Sequence, residues 1–262
     1  DSQLSPQAGL AFAITPVQEL YFNAGVGYHS NDVRGATIRT DPASGLPADR
    51  VPALVRGHGT ELGWRLQPSD DLTVAAALWQ LRIDSELVYV GDAGATEPGR
   101  ASQRRGIEAT VRWRANARWR FEADAAVSRA RYRGPAPEGE GSYVDNAPER
   151  VFAAGATYTD GPLSATLRLR YLGPRDLNTL GSVRSRANTL LNLGVRYAAS
   201  PALTLGVDVF NLTGRKANDI EYLYASCTAS EVARGECGSG IEGRHVHPME
   251  PRSVRVSAKW TF

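Results

Sequence analysis

The residues of this chain best suited to chemistry are His245, His247 and Met249. On an extended backbone side chains alternate between two faces, so their i, i+2, i+4 spacing points all three the same way. Two imidazoles and a thioether suit a soft or borderline metal ion such as copper. Pro248 and Pro251 interrupt strand pairing and can break that phase, which leaves simple polar lining as the plainer reading. Cys227 and Cys237, ten positions apart, are the only cysteines. In an oxidising compartment they are expected to form a disulfide closing a small loop; a metal pair is the sharper alternative, but no histidine stands at ligand spacing near both. His29, Asn31, Asp32 and Arg34 stand where a strand runs into a long connection, placed either to meet an entering ligand or to cap that loop.

No catalytic constellation accompanies them. Nucleophile-elbow, phosphate-loop, paired-cysteine zinc and metalloprotease-helix patterns are all missing from the sequence. Gly25-Val26-Gly27 falls inside a strand pattern rather than between a strand and a helix, which argues against a nucleotide site. The expectation is a protein that is not an enzyme and uses no cofactor. With a net charge of +2 over 262 residues and no basic run, a nucleic-acid partner is not expected either.

The elements that position these residues are strands. The terminal segment alternates without a fault, Val254, Val256, Ala258, Trp260 and Phe262 against Arg255, Ser257, Lys259 and Thr261. One face suits lipid and the other water. A soluble edge strand ending in bare Trp and Phe would invite pairing with other chains, whereas a closed membrane barrel removes the edge. No apolar run approaches the ~18 residues of a spanning helix, and mean hydropathy is slightly negative, as interleaved barrel strands make it.

The same alternation recurs in hairpins turning at 16–18, 68–71, 115–118, 159–162 and 199–201. Apolar sets such as Leu10, Phe12 and Ile14, or Trp119, Phe121 and Val127, define the greasy face. One long strand is expected from Leu72 to Val90, with Trp79, Leu81, Ile83, Leu87 and Tyr89 opposite Gln80, Arg82, Asp84 and Glu86. About eleven strands result. Between hairpins run long connections, 30–57, 91–99, 133–148, 173–187 and 214–250, so short turns alternate strictly with long loops. That asymmetry predicts an all-β, antiparallel transmembrane barrel with tight periplasmic turns, extended outer loops and a periplasmic C-terminus. Trp64, Trp113, Trp119 and Trp260 lie near short turns or the terminus, as an inner aromatic girdle requires. The polar face would carry Glu61, Arg65, Arg82, Asp84, Glu86, Glu108, Arg112, Arg168, Arg170, Arg196, Asp208, Arg255 and Lys259 into the lumen.

Three stretches carry a family resemblance: Tyr21 to Gly35 (YFNAGVGYHSNDVRG), Asp208 to Lys216 (DVFNLTGRK) and Pro251 to Phe262. In this order, over nearly the whole chain, they resemble the C-terminal part of TonB-dependent outer-membrane receptors. The resemblance implies that residues 1–262 are the C-terminal half of a 22-stranded barrel. It implies import of a scarce nutrient, most often a metal chelate such as a siderophore, energised by the TonB complex. It further implies that Trp260 and Phe262 form the signal read by the barrel-assembly machinery. Neither a plug domain nor a TonB box occurs in these residues, and Asp1 to Pro6 shows no signal peptide, so the natural N-terminus is expected upstream. An odd number of strands cannot close an ordinary bacterial barrel alone; were Leu72–Val90 two strands, twelve could. A passive porin without energy coupling is the alternative.

Overall fold

The computed structural model describes residues 2–30, 33–40, 45–48, 50–90, 95–238 and 240–262. Five hairpins with short turns make up most of it. They are β1 (Gln7–Thr15) with β2 (Gln18–Ser30), and β3 (Leu54–Ser69) with β4 (Leu72–Ile83). Next come β7 (Ser102–Arg114) with β8 (Trp119–Tyr132), β9 (Arg150–Asp160) with β10 (Leu163–Leu172), and β11 (Asn188–Ala198) with β12 (Leu203–Phe210). With β15 (Ser253–Trp260) they form one eleven-stranded sheet in the order β1-β2-β3-β4-β7-β8-β9-β10-β11-β12-β15. Every pairing is antiparallel. The five short turns therefore lie on one rim, the longer connections lie on the other, and the C-terminus ends on the short-turn rim.

Register decides which residues share a face. One cross-strand row runs Leu10, Phe22, Leu62, Leu78, Ile107, Val127, and another runs Leu167, Leu193, Val209, Val254. These side chains form a continuous apolar belt left open to the surroundings, with Leu10 at 74% and Val256 at 76% exposure. A contiguous apolar surface on this scale marks a face that meets something other than water. Among the described residues the fully buried apolar core is small, and its one cluster is Ala130, Tyr132 and Val144. Near the short-turn rim the belt ends in aromatics: Trp119 lies 5.6 Å from Phe121 with parallel rings and 5.0 Å from Tyr158. On the opposite face aromatic rings lie directly against glycines. An added Cβ on Gly63 would sit 2.0 Å from the Tyr21 ring, and one on Gly106 would meet the Trp79 indole at 2.8 Å.

Three expectations need correction. The long strand does not reach Val90: β4 stops at Ile83, and Leu87–Val90 is β5, paired with β6 (Ala95–Pro98) in a separate two-stranded hairpin. The chain leaves the sheet at Asp84–Glu86, where Ser85 donates to the Gly99 carbonyl and the Glu86 amide donates to the Arg100 carbonyl. The phase of β4 is also reversed beyond Leu78. Trp79 pairs across from Glu61, putting Trp79, Leu81 and Ile83 on the polar face, while Arg82 shares the face of Leu78 instead of the lumen. Finally, the 214–250 connection is not an open loop. It holds β13 (Asn218–Ser226) and β14 (Ile241–Pro248), paired with each other, and the short helix α2 (Ala229–Ala233).

Candidate ligand-capture face and inner wall

Several ion pairs stand along the polar face. Glu19 and Arg65 stand opposite each other and meet at 2.8 Å. Arg112 reaches diagonally to Asp124, with both carboxylate oxygens at 3.1 Å, and Arg196 crosses bare Gly206 to Asp208 at 2.7 Å. Arg255 lies over the Phe210 ring at 5.2 Å. These pairs are largely solvent-exposed, so each contributes at most about 1 kcal/mol; their consequence is a hydrated, charge-balanced surface. Arg168 and Arg170 differ. No described carboxylate forms an ion pair with them; with Asn192 of β11 and the carboxylates Glu122 and Asp124 of β8 they line a recess of about 430 Å³ across β8 to β11.

At the long-loop rim, the loops are tied down by buried polar groups. Glu221, 2% exposed, accepts from Arg244 at 3.2 Å, from the Asn218 amide at 2.9 Å and from the Arg186 backbone at 3.4 Å. It thereby joins the β13–β14 hairpin to the 173–187 connection. Glu86 does the same below β5, accepting from Ser102 Oγ and, at 2.8 Å, from Arg104. Burial raises the Asp145 carboxyl above the usual carboxylate range; a backbone hydrogen bond partly offsets this and the nearby Glu86 carboxylate adds to it. A folded-state value raised above the unfolded one means stability increases as pH falls through the folded value.

Asn211 holds the base of the 214–250 connection. Its φ is +48°, a left-handed conformation that Asn tolerates and β-branched residues do not. Its side-chain amide donates to the carbonyls of Arg215, 2.9 Å, and Glu250, 3.3 Å, and its oxygen accepts from the Arg215 amide at 2.9 Å. Both ends of the loop are thus pinned to one residue. Asn211→Gly keeps the backbone conformation and removes these three bonds, at about 1 kcal/mol each. The expected outcome is a lower unfolding midpoint and faster proteolysis of the 214–250 segment, measured against wild type.

The histidines lie on the hairpin that Glu221 and Asn211 anchor. His245 and His247 share one face of β14, across from Tyr222 and Ile220. The His245 ring stacks on Tyr224 at 3.7 Å and its Nε2 lies 3.1 Å from Ser226 Oγ. The Met249 sulfur accepts from the Asn188 side-chain amide, and the Met249 backbone amide donates to the Ala217 carbonyl, beyond the bulge at Asn218–Ile220. Cys227 and Cys237 form a disulfide with Cα atoms 5.8 Å apart, straddling α2. Thr228 and Glu231 cap that helix reciprocally, and the backbone and hydroxyl of Thr228 hold the Glu231 carboxyl below its usual range. His29 ends β2, opposite Val55. Asn31 and Asp32 lie outside the described residues; Arg34 falls in helix α1 (Val33–Thr37), with its side chain outside the description. Trp260 closes β15 and Phe262 extends beyond it, fully exposed.

An antiparallel sheet with one apolar exposed face, one charge-paired polar face and loops segregated by length to its two rims is the wall of a transmembrane β-barrel. The family described as TonB dependent receptor-like, beta-barrel matches residues 1–212, and the chain belongs to it. The pesticin receptor of Yersinia enterocolitica serotype O:8 / biotype 1B is 22% identical over 90% of this chain and 35% of its own length. The ferric yersiniabactin uptake receptor FyuA from Yersinia pestis shares the fold at a TM-score of 0.74 and 16% identity, over 98% of this chain and 37% of that one. The ferric-catecholate import receptor Fiu from E. coli K12, in its closed form, does so at 0.69 and 18% identity, over 98% and 34%. The chain thus spans about a third of the length of these relatives. TonB-dependent receptor barrels are outer-membrane proteins, and FyuA and Fiu are an uptake receptor and an import receptor.

Proposed function

We propose that this chain supplies the C-terminal wall and outer loops of a receptor that imports a metal chelate, such as a siderophore, in a step energised by the TonB complex. The observation that carries this reading is the segregation of the long, internally tied loops to one rim of a membrane-barrel wall, in a chain of this family. Short turns and the C-terminus face the periplasm; the loops face outward. The chelate is captured there, where the Tyr222, Tyr224 and His245 rings and His29 offer aromatic and imidazole surface. Passage follows rearrangement of a plug domain, pulled through a TonB box upstream of the present residues. The charge-paired inner wall stays hydrated throughout and makes or breaks no covalent bond. The barrel-assembly machinery reads the terminal strand through Trp260 and Phe262.

The test is uptake of labelled ferric catecholate, ferric hydroxamate and ferric citrate by cells expressing the receptor, with and without TonB. One chelate is expected to accumulate against its gradient, only with TonB, and to stop on addition of a protonophore. Uptake of small solutes that follows the gradient and ignores TonB would identify a passive pore.

A further inference from the structure

Beyond the apolar belt, on the same face and toward the long-loop rim, the side chains turn basic. Arg105 lies two residues before Ile107 on β7, Arg129 two residues after Val127 on β8, and the register sets Arg105 directly opposite both Gln80 and Arg129. Arg82 follows Gln80 by two on β4, and Arg150 stands across from Val127 on β9. All four arginines are exposed, and none has an ion pair or side-chain hydrogen bond with a described residue. Asp84, next in phase after Arg82, makes no ion pair with it. Directly opposed side chains have Cβ atoms ~5 Å apart, where like charges repel. On the inner wall Arg65, Arg112 and Arg196 each have a carboxylate, and Arg168 and Arg170 do not; in the outward set no arginine has one.

Just below the cations the surface is greasy. Arg105 and Arg129, with Thr60 and Gln80, rim a groove of about 510 Å³ floored by Leu62, Leu78, Ile107 and Val127; Glu61 also borders it, but alternates with Leu62 onto the inner face, where its carboxylate accepts from Asn23. A free anion would leave that floor uncovered, and a neutral lipid would leave the opposed guanidinium groups uncompensated. A molecule with acyl chains and a phosphate satisfies both, since guanidinium forks bind phosphate oxygens in pairs. We infer that this patch holds a phosphorylated lipid of the leaflet at the long-loop rim, its phosphate between Arg82, Arg105 and Arg129 and its acyl chains on the belt. The inference rests on the reading that the apolar face meets lipid.

The experiment uses the full-length receptor, purified in neutral detergent and checked for its heat-modifiable folded band. Diphosphorylated lipid A, the same acylated disaccharide without phosphates, and inorganic phosphate are titrated in parallel, with retained adducts read by native mass spectrometry. Wild type is expected to retain lipid A and neither of the others. At about 1 kcal/mol per basic residue, the double variant Arg105→Ala/Arg129→Ala should bind lipid A about 30-fold more weakly. The outer-loop variant Arg234→Ala should bind like wild type. Should the alanine pair fail to fold, Arg105→Lys/Arg129→Lys keeps the charge but loses the fork, and is expected to bind more weakly than wild type and more tightly than Arg105→Glu or Arg129→Glu. Equal lipid A binding by wild type and the alanine pair would overturn the inference. So would equal retention of the phosphate-free lipid, or retention of inorganic phosphate alone. A receptor that folds and inserts yet keeps no lipid A overturns this inference only; one that never inserts overturns the membrane reading as well.

Discussion

Val256→Arg should sharply reduce the amount of folded protein in the membrane, while Arg255→Thr, one residue away, should leave it nearly unchanged. Val256 pairs with Val207 on the apolar face and is 76% exposed to whatever surrounds the sheet. If that medium is hydrocarbon, a guanidinium placed there costs about 2 to 4 kcal/mol at mid-depth. Arg255 pairs with Asp208 on the polar face, where threonine loses a cation–π contact with Phe210 and little else. The measurement is the heat-modifiable fraction in isolated outer membranes. Equal yields for both variants would mean that the faces are assigned backwards or that β15 does not lie in lipid.

Glu221→Ala is expected to have the second largest effect, confined to the outer loops. The variant strips three donors, Arg244, the Asn218 amide and the Arg186 backbone amide, of an acceptor that is 2% exposed. Breaking a fully buried ion pair costs about 3 to 5 kcal/mol, and the partial exposure of Arg244, 36%, lowers this to roughly 2. The eleven-stranded sheet does not depend on this contact. Hydrogen exchange should therefore accelerate across Asn218–Ser226 and Ile241–Pro248, and not in β11 or β12. Glu221→Gln, which keeps an acceptor oxygen, should fall between the two. Unchanged protection in the alanine variant would show that the hairpin holds its place without Glu221.

The strands, their count in the main sheet and the single rim of short turns were legible because lipid imposes a two-residue period on every spanning strand. The β4 phase was not. Trp79, Leu81 and Ile83 are apolar yet face the polar side, where Trp79 covers Gly106; hydropathy alone reads such residues as lipid-facing. Arg82 was misplaced by the same logic, since arginine above the belt on the outer face reads as lumenal. The β13–β14 hairpin carries its own alternation, Ile220, Tyr222 and Tyr224 against Glu221 and Leu223, but the surrounding Gly, Ser and charge obscure it. Glu221 and Asn211 had no signal of their role: a glutamate is ordinarily exposed, and which loop ends an asparagine pins is a tertiary fact. The Met249 sulfur's partner, Asn188, lies 61 positions away and was likewise beyond the reach of local spacing.

The most direct measurement of the account is which rim faces outward. Single cysteines placed at Glu138, in the long connection after β8, and at Ser200, in the short turn after β11, are both exposed positions. Cys227 and Cys237 are bonded to each other and do not compete for the label. With a membrane-impermeant maleimide applied to intact cells, Glu138→Cys is expected to label and Ser200→Cys to label only after the outer membrane is broken. Labelling of Ser200→Cys in intact cells, with Glu138→Cys silent, would contradict the orientation and with it the assignment of the outer loops as the site of capture.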